Sequence, residues 1–338
     1  MIKIGIIGLG RIGKVHIKSI STKINTAKVI AAADPFLNDE MRSFAKEFGI
    51  ENLSLNYKDI LNNPEIDAVM VCSSTDTHAN ISAEAIRAGK HVFCEKPVDH
   101  SLEKIRLVED ALKENPVKFQ VGFNRRYDHN FAAVREAVLL GKVGEVHITK
   151  ITSRDPNPPS AEYAKVSGGM LLDMTIHDFD MVRFLTGAEP VKIYVEPAVL
   201  VDKAIGEAGD IDTAVITMQM SDGSIAVIDN SRKASYGYDQ RAEVFGSLAM
   251  AATKNDTAST CVISSESGIM GEKPLYFFLE RYMDSFALEV KEFVEAIEND
   301  KPIKTGIEDG LRAVAIALAG NISIKEKRTV EISEVLKK

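Results

Sequence analysis

The chain has 338 residues, of which 45% are apolar and 27% charged, a composition typical of a globular protein long enough for two domains. Its net charge of −8 argues against a nucleic-acid partner. No apolar run reaches the roughly 18 residues of a membrane span, and Met1 leads directly into an apolar strand rather than a signal peptide. We therefore expect a soluble, cytoplasmic protein without a membrane partner.

Three cysteines, Cys72, Cys94 and Cys261, are widely separated along the chain. An odd number at such distances does not form a disulfide framework. Because Cys72 and Cys94 end apolar runs typical of buried strands, we expect all three to be core residues in a reducing compartment.

Residues 1–122 alternate short apolar runs with amphipathic helical patterns. Unbroken apolar strands that alternate with helices predict a doubly wound parallel sheet covered on both faces. The predicted strands are Ile2–Ile7, Val29–Ala33, Ala68–Cys72, His91–Cys94 and Lys118–Val121, and the predicted helices are Arg11–Ile20, Asp39–Phe48, Asn80–Ala88 and Leu102–Leu112.

From residue 123 the pattern changes to consecutive strands, which predict an α+β second domain over 123–338. A helix at Asn130–Leu140 precedes a strand, and the prolines of the loop Asp155–Ser160 end that strand. Ser221–Ser224 is typical of a hairpin turn. The predicted strands are Glu145–Ser153, Val191–Val201, Thr213–Met220, Ile225–Asn230 and Glu243–Phe245, and the later helices are Leu172–Leu185, Tyr282–Glu298 and Glu308–Ala319.

A G-x-G-x-x-G motif, Gly8–Gly13, lies between the first predicted strand and the first predicted helix. There Gly8 permits a tight turn, Gly10 lets the backbone approach a pyrophosphate, and Gly13 lets the helix pack on the strand. The helix start also offers unpaired amides and a partial positive charge. The motif therefore predicts a dinucleotide site.

Asp34 ends the second predicted strand, and Pro35, Phe36 and Leu37 follow it instead of a basic residue. A carboxylate there can accept hydrogen bonds from both adenosine ribose hydroxyls and repels a 2′-phosphate. The pattern predicts NAD rather than NADP, with a strand-end turn as the alternative reading of Asp34.

Small polar residues, Ser73–His78, follow the strand Ala68–Cys72 at the sheet edge where such folds bind ligands. They are candidates for the ribose and phosphate region of the cofactor. Thr75 or Thr77 as the N-cap of the next helix is an alternative that is compatible with binding.

Glu95-Lys96-Pro97 follows the strand His91–Cys94 at the same edge, where a lysine can bind a substrate oxygen. A surface lysine beside a turn proline is the alternative. Further along, a helical segment Gly168–Asp178 would place Asp173 and His177 one turn apart on one face. A carboxylate so placed orients the imidazole as a general base, whereas an isolated histidine is more often structural.

Together, Gly8–Gly13, Glu95–Pro97 and the Gly-Gly-x-x-x-Asp-x-x-x-His run ending at His177 resemble the glucose–fructose oxidoreductase/inositol dehydrogenase superfamily. The segments Asn124–Asp128 and Glu280–Tyr282 resemble its inositol 2-dehydrogenase branch in particular. The resemblance covers essentially the whole chain. It implies an N-terminal Rossmann domain, a C-terminal α+β domain with a large, open, mostly antiparallel sheet, and a homo-oligomer, with a tetramer favoured over a dimer.

The resemblance also implies the site residues. His177 would take the hydroxyl proton, Asp173 would hydrogen-bond the substrate and tune His177, and Lys96 would orient the reacting hydroxyl and stabilise its developing charge. The implied substrate-binding set is Lys96, Arg126, Asp155, Asn157, Asp173, His177 and Tyr236. The implied cofactor-binding set is Gly8, Gly10, Arg11, Ile12, Asp34, Ser73, Ser74, Thr75, His78, Glu95, Lys96 and Arg126. No metal is implied.

The resulting expectation is NAD-dependent oxidation of a ring hydroxyl of an inositol to the ketone, with myo-inositol favoured. Inositol dehydrogenases often have a histidine near the loop Asp155–Asn157, and this chain has none there. Scyllo-inositol, another inositol or an aldose therefore stays open as the substrate. A non-catalytic NAD-sensing regulator is the alternative of a different class, and loss of Lys96 or His177 would have indicated it.

Overall fold

The chain divides into two units in the computed structural model, which describes residues 1–337. The first unit comprises Met1–Tyr127 and Met283–Val314, and the second comprises Asp128–Tyr282 and the chain from Ala315 onward. The sequence predicted one boundary after residue 122. It did not predict that residues 283–314 belong to the first unit. A helical pattern shows which face of a helix is buried, but not which distant element covers it.

The first unit contains a six-stranded, entirely parallel sheet with strand order β3-β2-β1-β4-β5-β6. This order places a topological switch between β1 and β4, where doubly wound folds bind dinucleotides. The strands are β1 (Ile2–Ile7), β2 (Ala27–Ala33), β3 (Asn52–Ser54), β4 (Ala68–Val71), β5 (His91–Cys94) and β6 (Phe119–Val121), and the helices are α1 (Arg11–Lys23), α2 (Asp39–Glu47), α3 (Tyr57–Leu61), α4 (Thr75–Arg87) and α5 (Leu102–Glu114), followed by a 3-10 turn, Asn124–Tyr127.

The second unit contains a seven-stranded sheet with strand order β12-β11-β7-β10-β9-β8-β15. All neighbours are antiparallel except the parallel pair β7 and β10. Its strands are β7 (Val146–Arg154), β8 (Pro190–Ala198), β9 (Thr213–Met220), β10 (Ile225–Ser231), β11 (Asp239–Gly246), β12 (Met250–Ala252) and β15 (Val330–Glu331), and a separate hairpin is formed by β13 (Val262–Ser265) and β14 (Gly268–Gly271). Its helices before the chain returns are α6 (His129–Leu139), α7 (Ala161–Val166), α8 (Met170–Asp173), α9 (Ile176–Thr186), α10 (Lys203–Glu207) and α11 (Phe278–Arg281).

Three helices complete the chain: α12 (Met283–Glu298) in the first unit, α13 (Ile307–Glu326) and α14 (Ser333–Leu336). Helix α12 packs against α1 and brings Val290 and Phe293 into the apolar core beneath β1 and β2. Ile4 and Ile6 of β1 are fully buried in this core. Because α12 lies far along the chain from the strands that it covers, the apolar core of the first unit is completed by a segment distant in sequence.

The predicted fold class is confirmed: a doubly wound parallel sheet is followed by an α+β unit with a mostly antiparallel sheet. The Ser221–Ser224 hairpin is present, with Gly223 at φ 87°. One face of the second sheet is open, since alternate residues of β9 are buried and exposed. Within residues 1–337, no helix is long and apolar enough to cross a membrane.

The expectation that all three cysteines are core residues was wrong for Cys261, which is exposed, whereas Cys72 and Cys94 are buried. Cys261 lies among serine and threonine residues immediately before the exposed hairpin strand β13, and no apolar run surrounds it. Burial raises the pKa of the Cys94 thiol to about 12, so this thiol is not reactive.

Candidate active site

The glycine loop of the first unit has three glycines with different structural requirements. Gly8 has φ 101°, and a Cβ there would lie 2.5 Å from the Cys72 carbonyl oxygen. A Cβ on Gly13 would lie 2.0 Å from the Gly8 carbonyl oxygen, so backbone packing requires both glycines. A Cβ on Gly10 would meet nothing within 4 Å. Gly10 thus leaves open space at the start of α1, where helix amides bind phosphate.

Asp34 is buried beside this loop and is held by backbone amides. Its Oδ2 accepts a hydrogen bond from the Leu9 amide at 2.8 Å, and its Oδ1 accepts one from the Phe36 amide at 2.8 Å. Each carboxylate oxygen can accept a further hydrogen bond, so two ribose hydroxyls can still be bound. The hydrogen bond from the Phe36 amide forms the strand-end turn that was the alternative reading of Asp34. This turn leaves Asp34 able to bind the cofactor as well. The open space at Gly10 and the carboxylate of Asp34 together fit a dinucleotide.

The polar segment after β4 forms the start of α4. The helix begins at Thr75 with Ser74 at the N-cap, so neither Thr75 nor Thr77 is the N-cap as the sequence suggested. The Ser73 and Thr77 hydroxyls lie 2.6 Å apart, and Thr77 Oγ1 also donates to the Ser74 carbonyl at 2.7 Å.

His78 is buried and connects two loops at the carboxyl edge of the sheet. Its Nδ1 lies 2.8 Å from the Pro97 carbonyl oxygen and its Nε2 lies 3.0 Å from the Ser73 carbonyl oxygen. The imidazole therefore ties the loop after β4 to the turn that carries Lys96.

Lys96 follows β5 and is half-buried, and its bond to Pro97 is cis. The preceding carboxylate, Glu95, lies in the interior: its Oε1 is 2.6 Å from His16 Nε2, and its Oε2 accepts the Lys96 amide at 3.3 Å. The backbone at this point thus places one charged side chain in the core and the next at the edge of the sheet.

Arg126 also belongs to the first unit, in the 3-10 turn. Its Nη2 donates to Asp309 Oδ1 at 2.8 Å, and its Nη1 donates to the Lys304 carbonyl at 3.2 Å. Only 11% of its side chain is exposed, so the guanidinium is held in one position by the returning segment 283–314.

In the second unit, the helix predicted over Leu172–Leu185 is instead two helices, α8 and α9. The Thr175 amide bonds to the Met170 carbonyl five residues back, and the Asp178 amide bonds to Thr175 only three back. This change of hydrogen-bond register interrupts the helix. The Thr175 hydroxyl donates to Asn230 Oδ1 at 2.6 Å in β10, which fixes the break. Asp173 and His177 therefore lie on two different helices, and the continuous helix that would place them one turn apart was a wrong prediction.

Asp173 ends α8, and both of its carboxylate oxygens accept hydrogen bonds. Tyr163 of α7 donates to Oδ1 at 3.0 Å, and Arg232 Nη2 donates to Oδ2 at 2.9 Å. Arg232 Nη1 also lies 3.5 Å from Asp155 Oδ2. Among the predicted substrate residues, Asp155 and Asp173 are thus connected through one buried guanidinium.

Sequence reasoning missed Arg232 and Tyr163. Burial opposes the charge of Arg232, but Asp173, Asp155 and Asp210 together raise its pKa above the usual value. It therefore stays charged and compensates the carboxylates around it. The available signal was its position two residues after the predicted strand Ile225–Asn230, but an arginine there is indistinguishable from a surface residue without the fold.

Asn157 and Tyr236 have other partners. Asn157 Nδ2 donates to the Tyr276 hydroxyl at 2.8 Å. The Tyr236 hydroxyl donates to Asp239 Oδ2 at 2.6 Å and accepts from Arg154 Nη1 at 3.1 Å. Tyr236 thus belongs to a network built on Asp239 and Arg154, and the residue is 42% exposed.

Comparison with known proteins agrees with this organisation. Residues 2–123 match an oxidoreductase family with an NAD-binding Rossmann fold, and residues 131–252 match the GFO/IDH/MocA C-terminal domain. The myo-inositol 2-dehydrogenase of Thermotoga maritima is 43% identical over 335 residues, 99% of each chain. The chain belongs to the GFO/IDH/MocA oxidoreductase family.

Two further members of this family are close to the chain. The inositol 2-dehydrogenase of Rhizobium meliloti is 44% identical, covering 98% of this chain and 99% of that one. A crystal structure of the scyllo-inositol dehydrogenase of Lactobacillus casei, with bound NAD(H) and scyllo-inositol, has a TM-score of 0.92 and 32% identity over 98% of this chain and 99% of that one. As a member of this family, the protein is an NAD-dependent dehydrogenase that acts on a CH–OH group, which confirms the predicted cofactor and enzyme class.

Proposed function

We propose that the protein oxidises a ring hydroxyl of an inositol to the ketone, with myo-inositol as the favoured substrate. The observation that carries the proposal is the full-length similarity to inositol 2-dehydrogenases at 43–44% identity in a chain that has Lys96, Asp173 and His177. The dinucleotide loop and the polar cluster of the second unit support it, because a polyol needs hydrogen-bonding partners.

We further propose that Lys96, Asp173 and His177 carry the acid–base chemistry. NAD, when bound at the glycine loop, supplies the hydride acceptor. His177 accepts the hydroxyl proton, and Lys96 orients that hydroxyl and stabilises its developing negative charge. Asp173 hydrogen-bonds the substrate and tunes His177. Support comes from the fixed position of Asp173, since donors hold both of its oxygens.

The proposed ring-binding residues are Arg126, Asp155, Asn157 and Tyr236. Each is held by protein partners, Asp309, Arg232, Tyr276 and Asp239 respectively. Side chains that are already positioned lose little entropy when they bind a hydroxyl. A polyol that lacks one hydroxyl leaves such a group unpaired, which is how the site would discriminate between stereoisomers.

Scyllo-inositol is the second candidate substrate. The loop Asp155–Asn157 lacks the histidine that inositol dehydrogenases often have there, and the chain resembles a scyllo-inositol dehydrogenase over 98% of its length. Another inositol or an aldose would use the same chemistry. The NAD-sensing regulator is disfavoured because Lys96 and His177 are both present.

We propose that the protein is a cytoplasmic homo-oligomer, with a tetramer favoured, and that it binds neither nucleic acid nor membrane. The open face of the second sheet exposes Ile148, Val215, Ile225 and Phe245, each by more than 40%. Exposed apolar side chains on one sheet face are typical of a subunit interface. Light scattering after gel filtration tests this, and a monomeric mass at micromolar concentration would contradict it.

The function is tested by NADH formation at 340 nm with NAD and a panel of myo-inositol, scyllo-inositol, chiro-inositol and glucose. Turnover on one inositol is expected. Turnover on glucose alone would instead identify the substrate as an aldose. NADP in place of NAD should support far less turnover, because Asp34 repels the 2′-phosphate. If none of these substrates gives NADH although NAD binding is measurable, the proposal is contradicted.

A further inference from the structure

Three ionisable side chains meet in the core of the first unit, behind the cofactor loop. His16 lies on α1, Glu95 follows β5, and Glu289 lies on α12. His16 and Glu289 are fully buried and Glu95 is 7% exposed. One nitrogen or oxygen atom of each lies within 4.8 Å of those of the other two. We call these residues the His16–Glu95–Glu289 cluster.

Glu95 is the centre of this cluster, because its two oxygens have different partners. Oε1 lies 2.6 Å from His16 Nε2, and Oε2 accepts the backbone amide of Lys96 at 3.3 Å. A Cβ on Gly122 would come within 3.1 Å of the Glu95 carboxyl atoms, so a glycine at this position leaves the room that the carboxylate occupies. The carboxylate therefore connects the cofactor helix α1 to the peptide of Lys96.

Glu289 is the unusual member of the cluster. Neither of its carboxyl oxygens has a hydrogen-bond partner among residues 1–337, although its backbone carbonyl accepts Gln120 Nε2 at 2.9 Å. Apolar rings surround the cluster: His16 packs edge-on against Phe93 at 5.1 Å and Phe286 at 5.8 Å between ring centroids. A methionine at position 289 would avoid the free-energy cost of burying an unpartnered carboxyl group.

We propose that His16 and Glu289 are positioning residues that act through Glu95 on the peptide of Lys96. Glu289, as a neutral acid, donates to Glu95 through one water, and His16 Nε2 donates to Glu95 Oε1. These two donors hold the Glu95 carboxylate in the orientation in which Oε2 accepts the Lys96 amide. The inference rests on the proposed function, in which Lys96 orients the reacting hydroxyl.

The charge balance of the cluster supports this arrangement. Burial raises the pKa of Glu289 well above its usual value, and the nearby Glu95 raises it further. A protonated Glu289 has one O–H donor, whereas two ionised carboxylates at this distance in an apolar core would repel each other. The neutral acid thus supplies a donor toward the carboxyl group of Glu95.

The test compares Glu289→Gln and Glu289→Met with Val290→Ala as the matched control, all in the full-length enzyme. Glutamine keeps a donor of similar size without a titrating proton, whereas methionine keeps the volume and removes the donor. Val290 is the fully buried neighbour of Glu289 on α12, so its truncation disturbs the same helix but removes none of the three ionisable side chains. Four quantities are measured: Tm, NAD Kd, kcat on the inositol substrate, and hydrogen exchange of the peptide covering residues 94–99.

In Glu289→Met we expect exchange of the Lys96 amide to rise about 10-fold and kcat to fall about 10-fold, while Tm is unchanged or higher. NAD Kd should stay within about 3-fold, since the glycine loop is intact. Glu289→Gln should restore most of the exchange protection and of kcat. Val290→Ala should lower Tm by several degrees with exchange of 94–99 and kcat unaffected.

Wild-type exchange of residues 94–99 in Glu289→Met would overturn the inference, as would equal loss of kcat in Glu289→Gln and Glu289→Met. Stoichiometric metal in the purified enzyme, lost in either Glu289 variant, would also overturn it, because the cluster would then be a metal site. The exchange readout needs no substrate. If no inositol is oxidised, the proposed function fails, while exchange still decides whether the cluster positions the Lys96 peptide.

Discussion

Replacing Arg232 by methionine tests whether one buried guanidinium holds the candidate catalytic carboxylate. The substitution removes the donor to Asp173 at 2.9 Å and the ion pair to Asp155 at 3.5 Å. Breaking a buried ion pair by removing one partner costs about 3–5 kcal/mol of unfolding free energy, because a charge is left uncompensated. The side chains of Asp173 and Asp155 are 17% and 12% exposed, so water relieves part of the penalty. We expect the lower end of the range, about 3 kcal/mol.

The activity of Arg232→Met should fall as well. Asp173 keeps the Tyr163 hydroxyl on one oxygen but loses the fixed donor on the other. A misplacement of about 1 Å at a reacting group can cost 10²-fold, so we expect kcat/KM to fall by about that factor. Urea denaturation gives the stability change and NADH formation at 340 nm gives the activity. Arg232→Lys should lose less stability, since it keeps the charge but not the two-armed geometry.

The loss of stability in Arg232→Met should depend on pH in a direction that can be predicted. In Arg232→Met, Asp173 and Asp155 both lose the cation that lies beside them, and protonation of either carboxylate removes one of the uncompensated charges. The stability gap to the wild type should therefore be smaller at pH 5 than at pH 8. Arg183→Met is the matched control, because Arg183 is a buried arginine of the same unit that is paired with Glu189. It should destabilise without lowering kcat of the folded enzyme. Wild-type stability and kcat/KM in Arg232→Met would refute the reasoning.

Three other changes probe the remaining features. Gly10→Ala adds a methyl group where nothing lies within 4 Å, so Tm should hold while NAD Kd by calorimetry rises about 10-fold or more; an unchanged Kd would place the pyrophosphate elsewhere. His177→Ala should lower kcat by about 10²–10⁴-fold with NAD Kd nearly unchanged, and intact turnover would remove His177 from the mechanism. Burial by itself would raise the pKa of Asp239. Hydrogen bonds from Arg241, Tyr236 and Asn255 outweigh this effect and lower the pKa to about 2. Since this lies below the unfolded value near 3.9, the stabilisation is present above pH 4 and is lost as pH falls towards 2. Asp239→Asn should therefore cost about 1–2 kcal/mol at pH 7, less towards pH 3, and a constant gap in urea titrations would contradict this.

The cofactor half of the protein was predictable from local sequence. Gly8–Gly13 between an apolar strand and a helix, with Asp34 at the end of the next strand, specifies a dinucleotide loop within a single β-α-β unit. This loop requires particular backbone conformations and close approach of backbone atoms, and both are determined by residues that are near one another in the sequence. The mixed sheet of the second unit was predictable for a similar reason, since strand periodicity and the Ser221–Ser224 turn act over a few residues.

The tertiary structure decided everything that depends on contacts between distant segments. Helix α12 returns to cover the first sheet, Arg232 links Asp155 to Asp173, and His16 meets Glu95 from 79 residues away. The expected helix is interrupted at Thr175, whose hydroxyl bonds to Asn230, 55 residues later. A sequence pattern reports which face of an element is apolar, but it holds no information on which distant polar group lies opposite. The local pattern therefore specified the cofactor and the fold class, and long-range packing specified how the catalytic side chains are held.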